Sequence, residues 1–176
     1  MRVLDWFAQP NPRLVVLQYS CAGNNLIGST AMTTEPSPES VWEEALIADF
    51  RANGGRPSTG PLAGHPLLLL FSTGAKTGKR RRSILTYSRD GDAYIVAGTA
   101  GGSPTHPAWV ANLRANPDVD LEVANDTFPA KATIVEGAER DRRWTEHVAQ
   151  LPWFGDYPAQ ITGRVIPMVR LTRRGT

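Results

Sequence analysis

Short apolar runs separated by tight turns fill most of this chain beyond residue 66, and their spacing constrains the fold more than any other feature. The tetrapeptide at 89–92 (Arg-Asp-Gly-Asp) and the pair Asn125-Asp126 are hairpin signals, because such residues favour the turns that join neighbouring antiparallel strands. The predicted strands are 67–72, 83–88, 93–98, 119–124, 127–136 and 164–172. They indicate a mainly β (α+β) fold, a small closed or split β-barrel of about six antiparallel strands with peripheral helices.

Three helices are predicted around these strands. The first begins at Pro38 after a capping Ser37 and stops at Gly54-Gly55. The others span 107–116 and 139–150. In the first helix, apolar side chains recur every fourth position and are expected on one face: Trp42, Leu46 and Phe50.

Composition and chain length indicate one globular domain. Residues 1–34 carry no clear period and are interpreted as a poorly ordered extension, with 35–176 as the folded domain; an unused upstream start is the alternative for 1–31. A net charge of +2 argues against a general nucleic-acid binder. No apolar run approaches the roughly 20 residues of a membrane span. Cys21 is alone in the sequence and cannot form an internal disulfide, which predicts a cytoplasmic protein.

Positive charge is concentrated in residues 73–82. Gly74 and Gly78 let the backbone turn with positive φ and direct its N–H groups into one concavity. Lys76, Lys79 and the arginines at 80–82 add cationic donors. The spacing is not that of a P-loop, and a strand rather than a helix follows. The segment predicts either a phosphate-binding turn or a solvated basic hairpin, and peripheral contact of this turn with the inner face of the cell membrane is a further alternative.

A second segment, 99–113, leads from a strand through a diglycine loop into a helix. Gly101 and Gly102 permit close approach of the backbone to a ligand, and the helix N-terminus favours an anion or a carbonyl group. Trp109 and Asn112 are three apart and share one helix face. Either both residues line that ligand, or Trp109 is a core side chain and Asn112 is a solvated residue near the end of the helix.

In order and spacing, these segments resemble the deazaflavin-dependent nitroreductase and quinone reductase family of actinobacteria over about residues 67–171. The T-G-x-K-[ST]-G-x-x-R turn of that family matches 73–81, its G-G-x-x-x-x-P-x-W-x-x-N-L segment matches 101–113, and its R-A-N-P and I-P motifs match 114–117 and 166–167. The resemblance implies an FMN-binding split-barrel-like fold and an oxidoreductase. It implies that reduced coenzyme F420, a deazaflavin, passes a hydride to a quinone, nitro or activated-alkene acceptor, with no catalytic side chain and no metal.

The resemblance also implies the site residues. Around the coenzyme phosphate they are Lys76, Thr77, Gly78 and Arg81. Around the deazaflavin and its ribityl linker they are Thr99, Gly101, Gly102, Pro107, Trp109 and Asn112. Arg82, Ser83 and Ala100 are further expected coenzyme contacts, and Ala100 is expected to face the phosphate from the opposite wall. Phe154 and Tyr157 lie where the family tends to place tyrosines and are expected on the acceptor side, with hydrophobic closure of the barrel end as the alternative. The expected partner is a small-molecule acceptor, without nucleic acid, and the protein is expected to be a monomer or dimer.

Two positions depart from the family pattern. Relatives commonly carry lysine where this chain has Ala100, and often arginine where it has Ala75. A charge-assisted hydrogen bond is worth roughly 1.5–3 kcal/mol, so one lost cation weakens coenzyme binding about tenfold or more. Arg80 and Arg82 are candidates to compensate. The alternative functions are a non-catalytic split-barrel binder of an apolar small molecule and an FMN-dependent oxidoreductase.

Overall fold

The computed structural model describes residues 38–175, so the extension predicted at 1–34 lies outside the described residues. Its strands are β1 Leu67–Thr73, β2 Arg80–Thr86, β3 Ser88–Asp90, β4 Ala93–Ala97, β5 Asp118–Val123, β6 Asp126–Val135 and β7 Met168–Arg173. Its helices are α1 Pro38–Ala52, α2 Ala108–Ala115, α3 Gly137–Gln150 and α4 Tyr157–Gln160, with 3-10 turns at Ala100–Gly102 and Pro152–Asp156. None of the helices between residues 38 and 175 has the length and apolar character needed to cross a bilayer.

The sheet closes into a split barrel at a single residue. All strand pairs are antiparallel, and the strand order is β2-β1-β5-β6-β7-β4-β3. The two edge strands, β2 and β3, are consecutive in the chain and are separated only by Tyr87. Because one residue joins opposite ends of the sheet, the sheet must curve back on itself. The barrel prediction is confirmed, with seven strands instead of about six, since the predicted strand 83–88 is broken at Tyr87.

The β1–β2 hairpin fixes where the basic segment lies. Its register runs from Leu67 opposite Thr86 to Thr73 opposite Arg80, so the turn between the strands is only residues 74–79. The three arginines at 80–82 therefore belong to a strand and not to the turn. At the other end of the chain, β7 begins at Met168 and not at 164, and residues 164–167 form an irregular segment before it.

Apolar clusters on both sides of the sheet hold the barrel together. Alternate residues of β1 point in opposite directions, so Leu68 and Leu70 fill the interior while Leu67 and Leu69 pack under α1. Helix α2 contributes to the interior cluster, and a third cluster lies between the β4–β7 pair and the segment from α3 to α4. Of the residues predicted to share one face of α1, Leu46 and Phe50 are buried, whereas Trp42 is 42% exposed. A four-residue step overshoots the 3.6-residue turn, and Trp42 drifts away from the face that buries Leu46 and Phe50.

Candidate functional site

The glycine turn at 74–79 is a closed loop that only glycine can complete. Gly74 N–H donates to Lys79 O and Gly78 N–H donates to Gly74 O, both at 2.8 Å. A Cβ on Gly74 would lie 2.7 Å from Thr77 Oγ1, and Gly78 has a φ of +65°. Within residues 38–175 the N–H groups of Lys76 and Thr77 have no hydrogen-bond acceptor. Two successive unpaired amides in a tight turn can bind an anion.

Asn112 connects this turn to α2. Its Oδ1 accepts a hydrogen bond from Ala75 N–H at 2.9 Å, and its Nδ2 donates to Ser72 Oγ at 3.4 Å. The side chain is buried. Asn112 is thus not the solvated residue that was one alternative from the sequence. It brings the glycine turn and the segment at 99–113 into direct contact.

The arginines at 80–82 divide between the two faces of β2. Arg82 pairs with Glu43 and Glu44 on α1, and the Arg80 guanidinium lies 4.5 Å from the centroid of the Phe71 ring and pairs with an aspartate of β5. Both are therefore on the outer, α1-facing side of the sheet, and acidic groups already neutralise their charge. The structure thereby separates Arg82 from the other residues predicted to bind the coenzyme, and Arg80 and Arg82 do not take the place of a cation at Ala100.

Arg81 and Ser83 lie on the opposite face of β2 from Arg82, because successive side chains of a strand alternate. That face continues into the barrel interior through Leu85. Both side chains are half-buried. They remain on the side of the sheet where Asn112 meets the glycine turn.

The diglycine loop has an unusual backbone. Ala100, Gly101 and Gly102 follow one another with φ values of 51°, 61° and 87°. Glycine adopts such angles without strain, whereas alanine at Ala100 does so at a cost of about 1 kcal/mol. The Thr99 hydroxyl is buried and has no hydrogen-bond partner within residues 38–175. A buried hydroxyl in this state is a candidate ligand contact.

Arg164 holds that loop, and sequence reasoning missed it. Its guanidinium donates to Gly98 O at 2.9 Å, to Thr99 O at 2.7 Å and to Ser103 O at 2.9 and 3.0 Å. No carboxylate within residues 38–175 pairs with it, and burial lowers the pKa of Arg164 from its usual value. The N–H and C=O groups of a trans peptide point in opposite directions, so the N–H of Ala100, which follows the Thr99 carbonyl, points away from Arg164. The sequence predicted a strand residue here, and no local pattern marks an arginine that binds carbonyl groups.

Trp109 and Pro107 are buried where α2 enters the barrel. Trp109 is 3% exposed and belongs to the interior cluster, so the core alternative describes its packing. Its indole N–H has no acceptor among the described residues. Pro107 is the N-cap of α2, and its carbonyl accepts the Val110 N–H at 3.0 Å.

Phe154 and Tyr157 belong to the outer cluster over β4 and β7. They are 2% and 5% exposed, and the Phe154 ring meets the His147 ring edge to face at 4.5 Å between centroids. This packing corresponds to the hydrophobic closure considered as the alternative for this loop. Helix α4 nevertheless reaches the diglycine loop, because Gln160 Oε1 lies 3.3 Å from the position of a Cβ on Gly102.

Apart from Arg82, the predicted residues lie in or beside the glycine turn, the diglycine loop and the helices α2 and α4, and together they form the candidate surface. Asn112 joins the glycine turn to α2, Arg164 fixes the diglycine loop, and α4 borders that loop. The residues of this surface include no carboxylate, and it offers unpaired amides beside lysine and arginine. Fold and site together define a split-barrel protein suited to a flat cofactor with an anionic tail.

Comparisons with known proteins place the chain more narrowly. Residues 43–173 match the family model described as F420H(2)-dependent quinone reductase. An F420H(2)-dependent quinone reductase of Mycobacterium tuberculosis is 41% identical over 132 residues, which are 72% of this chain and 87% of the relative. A solved F420-H2 dependent reductase, FDR-A, superposes with a TM-score of 0.55 at 34% identity and covers 60% of this chain and 93% of its own.

A second solved structure, described as a domain-swapped dimer, superposes with a TM-score of 0.56 at 29% identity over 77% of this chain and 99% of its own. The chain belongs to the F420H(2)-dependent quinone reductase family. It is therefore an oxidoreductase whose cofactor is F420H2, and the family resemblance inferred from residues 73–81 and 101–113 is confirmed.

Proposed function

We propose that this chain binds F420H2 across the surface formed by the glycine turn and the diglycine loop, and that a quinone accepts the hydride there. The observation that carries the proposal is the 2.9 Å hydrogen bond from Ala75 N–H to Asn112 Oδ1. It joins the two segments that the family pattern identifies, although they are far apart in the chain. When bound, the coenzyme supplies a two-electron hydride donor, so the protein need only position and shield it.

The anionic tail of the coenzyme fits the glycine turn. The unpaired N–H groups of Lys76 and Thr77 provide oriented donors, and Gly78 leaves open space beside them, since nothing lies within 4 Å of its Cβ position. Arg81 and Ser83 lie on the face of β2 that continues into the barrel. We assign the phosphate to these groups, because amides and a guanidinium together form charge-assisted hydrogen bonds to such an anion.

The polar edge of the ring system fits the diglycine loop. The Thr99 hydroxyl has no hydrogen-bond partner and the Ala100 N–H has no acceptor within the described residues, and Gly101 and Gly102 let a flat ring approach the backbone. Trp109 is buried in the interior cluster near the start of α2, the helix that follows this loop in the chain.

The acceptor side is assigned to α4. Tyr157 and Gln160 are three apart and share a face of that helix, and Gln160 borders Gly102. Tyr157 belongs to the same apolar cluster as Phe154, and this cluster excludes water from this side. We therefore propose that Tyr157 lies near the acceptor and that Phe154 supports the wall of the acceptor site.

Anaerobic titration of the purified chain with F420H2, followed by addition of menadione, tests the proposal. We expect saturable quenching of tryptophan or coenzyme fluorescence and return of the absorbance of the oxidised coenzyme when the quinone is added. A parallel titration with FMN is the control. Tight binding of FMN without binding of F420H2 would contradict the proposal.

A further inference from the structure

A cleft of about 370 Å³ opens at the seam of the barrel, where β2 passes into β3. The residues with polar or aromatic side chains among those that line this seam cleft are Arg56, His65, Tyr87, Arg89, Gln150 and Trp153. The volume is typical of small-molecule sites. The cleft lies at the Leu67 end of β1, whereas the glycine turn follows Thr73 at the other end, about 20 Å away for a strand of this length. It is therefore distinct from the phosphate end of the proposed coenzyme site.

Two arginines are among the residues that line this cleft. Arg56 donates to Gly64 O at 2.7 Å, and the Arg89 guanidinium lies 4.1 Å from the centroid of the Tyr94 ring. Neither arginine forms an ion pair with a carboxylate within residues 38–175. These contacts position the guanidinium groups without neutralising them.

The carboxylates close to these arginines in the chain are engaged elsewhere. Asp90, which follows Arg89, pairs with Arg143 at 2.7 Å and with Arg170 at 3.4 Å. Asp49, which packs on the segment after Arg56, accepts hydrogen bonds from Ser58 and Thr59. The seam cleft itself has no acidic residue in its lining.

The remaining polar walls are neutral at pH 7. Burial, and then the charge of Arg56, lower the pKa of His65 below its usual value. Burial raises the pKa of Tyr87. The Gln150 amide is held by the Arg89 backbone, because it donates to Arg89 O and accepts from Arg89 N–H, both at 2.9 Å. The cleft therefore carries a net positive charge with hydrogen-bond donors around it.

An aromatic pair gives the cleft a second feature. The His65 and Trp153 rings lie 4.0 Å apart between centroids, tilted by 49°. The Trp153 indole N–H is buried and has no acceptor in the part of the chain that the structure describes. Rings of this kind favour contact with another flat ring, and a buried N–H requires an acceptor.

We propose that the seam cleft binds a small ligand that carries a carboxylate or phosphate on a flat ring, with Arg56 and Arg89 holding the anion. Charge-assisted hydrogen bonds from two guanidinium groups select the anion. The His65–Trp153 pair selects the ring. This proposal does not depend on the coenzyme site.

Titration of the ¹⁵N-labelled full-length chain with benzoate tests the proposal by NMR. The reporter is the indole N–H resonance of Trp153, identified by its disappearance in Trp153→Phe. We expect a saturable shift with benzoate or phenyl phosphate, and the tighter of the two identifies the anion. Benzyl alcohol, a neutral molecule of similar size, should produce no saturable shift. No saturable shift with either anion, or an equal response to benzyl alcohol, would overturn the proposal.

Substitutions separate the two arginines from general surface charge. Arg89→Gln should weaken benzoate binding by about tenfold, as should Arg56→Gln, because each removes one charged donor. Arg56→Lys keeps the charge and should retain most of the affinity for benzoate. Comparison with Arg56→Gln therefore shows whether a loss of affinity comes from the missing charge or from a change in the segment around Gly64 that Arg56 contacts. Arg142→Gln, an exposed arginine of α3, is the matched control. Equal weakening by Arg142→Gln, or unchanged affinity in Arg89→Gln, would refute the assignment.

Discussion

Asn112 Oδ1 accepts the hydrogen bond of Ala75 N–H at 2.9 Å and so ties α2 to the glycine turn. We expect Asn112→Ala to weaken coenzyme binding at least tenfold, because the turn loses the contact that orients its amides. Loss of a buried hydrogen bond should also cost about 1–3 kcal/mol of stability. Coenzyme titration together with urea unfolding measures both effects.

Asn116→Ala is the control for that prediction. Asn116 is also at the end of α2, but its amide reaches Thr73 O only at 3.4 Å. We expect little change in affinity or stability. If Asn112→Ala and Asn116→Ala behaved alike, the Asn112 contact would have no special part in shaping the turn.

Arg164 is expected to act as a positioning residue. Arg164→Lys keeps the charge but replaces the planar guanidinium fork, whose three nitrogens each donate to a carbonyl group, by one compact ammonium. Coenzyme affinity should therefore fall about tenfold or more in this variant and further in Arg164→Gln. Thermal unfolding in the presence and absence of F420H2 distinguishes the loss of loop geometry from general destabilisation. Arg114→Gln, an exposed arginine near the same loop, should leave coenzyme affinity unchanged, and an equal loss there would contradict the special role of Arg164.

Arg81 and Arg82 are adjacent in β2 but face opposite sides of the sheet. Arg81→Ala should weaken coenzyme binding about tenfold because it removes a cation from the assigned phosphate region. Arg82→Ala should leave the affinity unchanged and reduce stability by no more than about 1 kcal/mol, since it breaks partly exposed ion pairs with α1. Isothermal titration of both variants measures the contrast. Equal effects of the two substitutions on coenzyme affinity would mean that coenzyme binding does not depend on which face of β2 carries the arginine.

Ala100 is the position where relatives commonly carry lysine. Since no arginine from the outer face of β2 substitutes for that cation, Ala100→Lys should tighten coenzyme binding, and more so at low ionic strength because salt screens partly exposed charges. Ala100 already has a φ of 51°, a conformation that is unfavourable for every residue with a Cβ. Replacing alanine by lysine therefore adds no further backbone strain. Dissociation constants at two salt concentrations provide the measurement. Equal or weaker binding at both would show that the loop does not lack a cation.

His147 predicts a specific pH dependence of stability. Its ring is fully buried, its Nδ1 lies 2.7 Å from Ser88 Oγ, and burial lowers its pKa to about 4. The unfolded chain, with a histidine pKa near 6.5, binds more protons than the folded chain between these values. The free energy of unfolding should therefore fall as the pH decreases through this window, by about 2 kcal/mol between pH 7 and pH 5.

His147→Gln isolates that contribution. Urea unfolding at pH 7 and pH 5 should show a smaller loss of stability in the variant than in the wild type, because glutamine does not titrate. The other titrating groups are shared by both proteins and cancel in the comparison. An identical loss in both proteins would exclude His147 as a source of the pH dependence.

The sequence by itself determined the features that depend on a few neighbouring residues. The Asp-Gly turn at 89–92 and the Asn125-Asp126 turn lie where the structure has hairpins. The limits of α1 and α2 agree with their proline and glycine signals within about two residues. Turn chemistry and helix starts are local, so one sequence suffices to predict them. The ordered motifs at 73–81 and 101–113 were likewise enough to indicate the family.

Only the tertiary structure decided what depends on distant partners. The break at Tyr87 arises because the two edges of the sheet meet there. The division of Arg81 from Arg82 follows from which face of β2 lies under α1. Arg164 contacts the diglycine loop, 65 residues earlier in the chain, because the fold brings three carbonyl groups around its guanidinium. Local propensity carries no information about such contacts, since they form only when the closed barrel places both partners together.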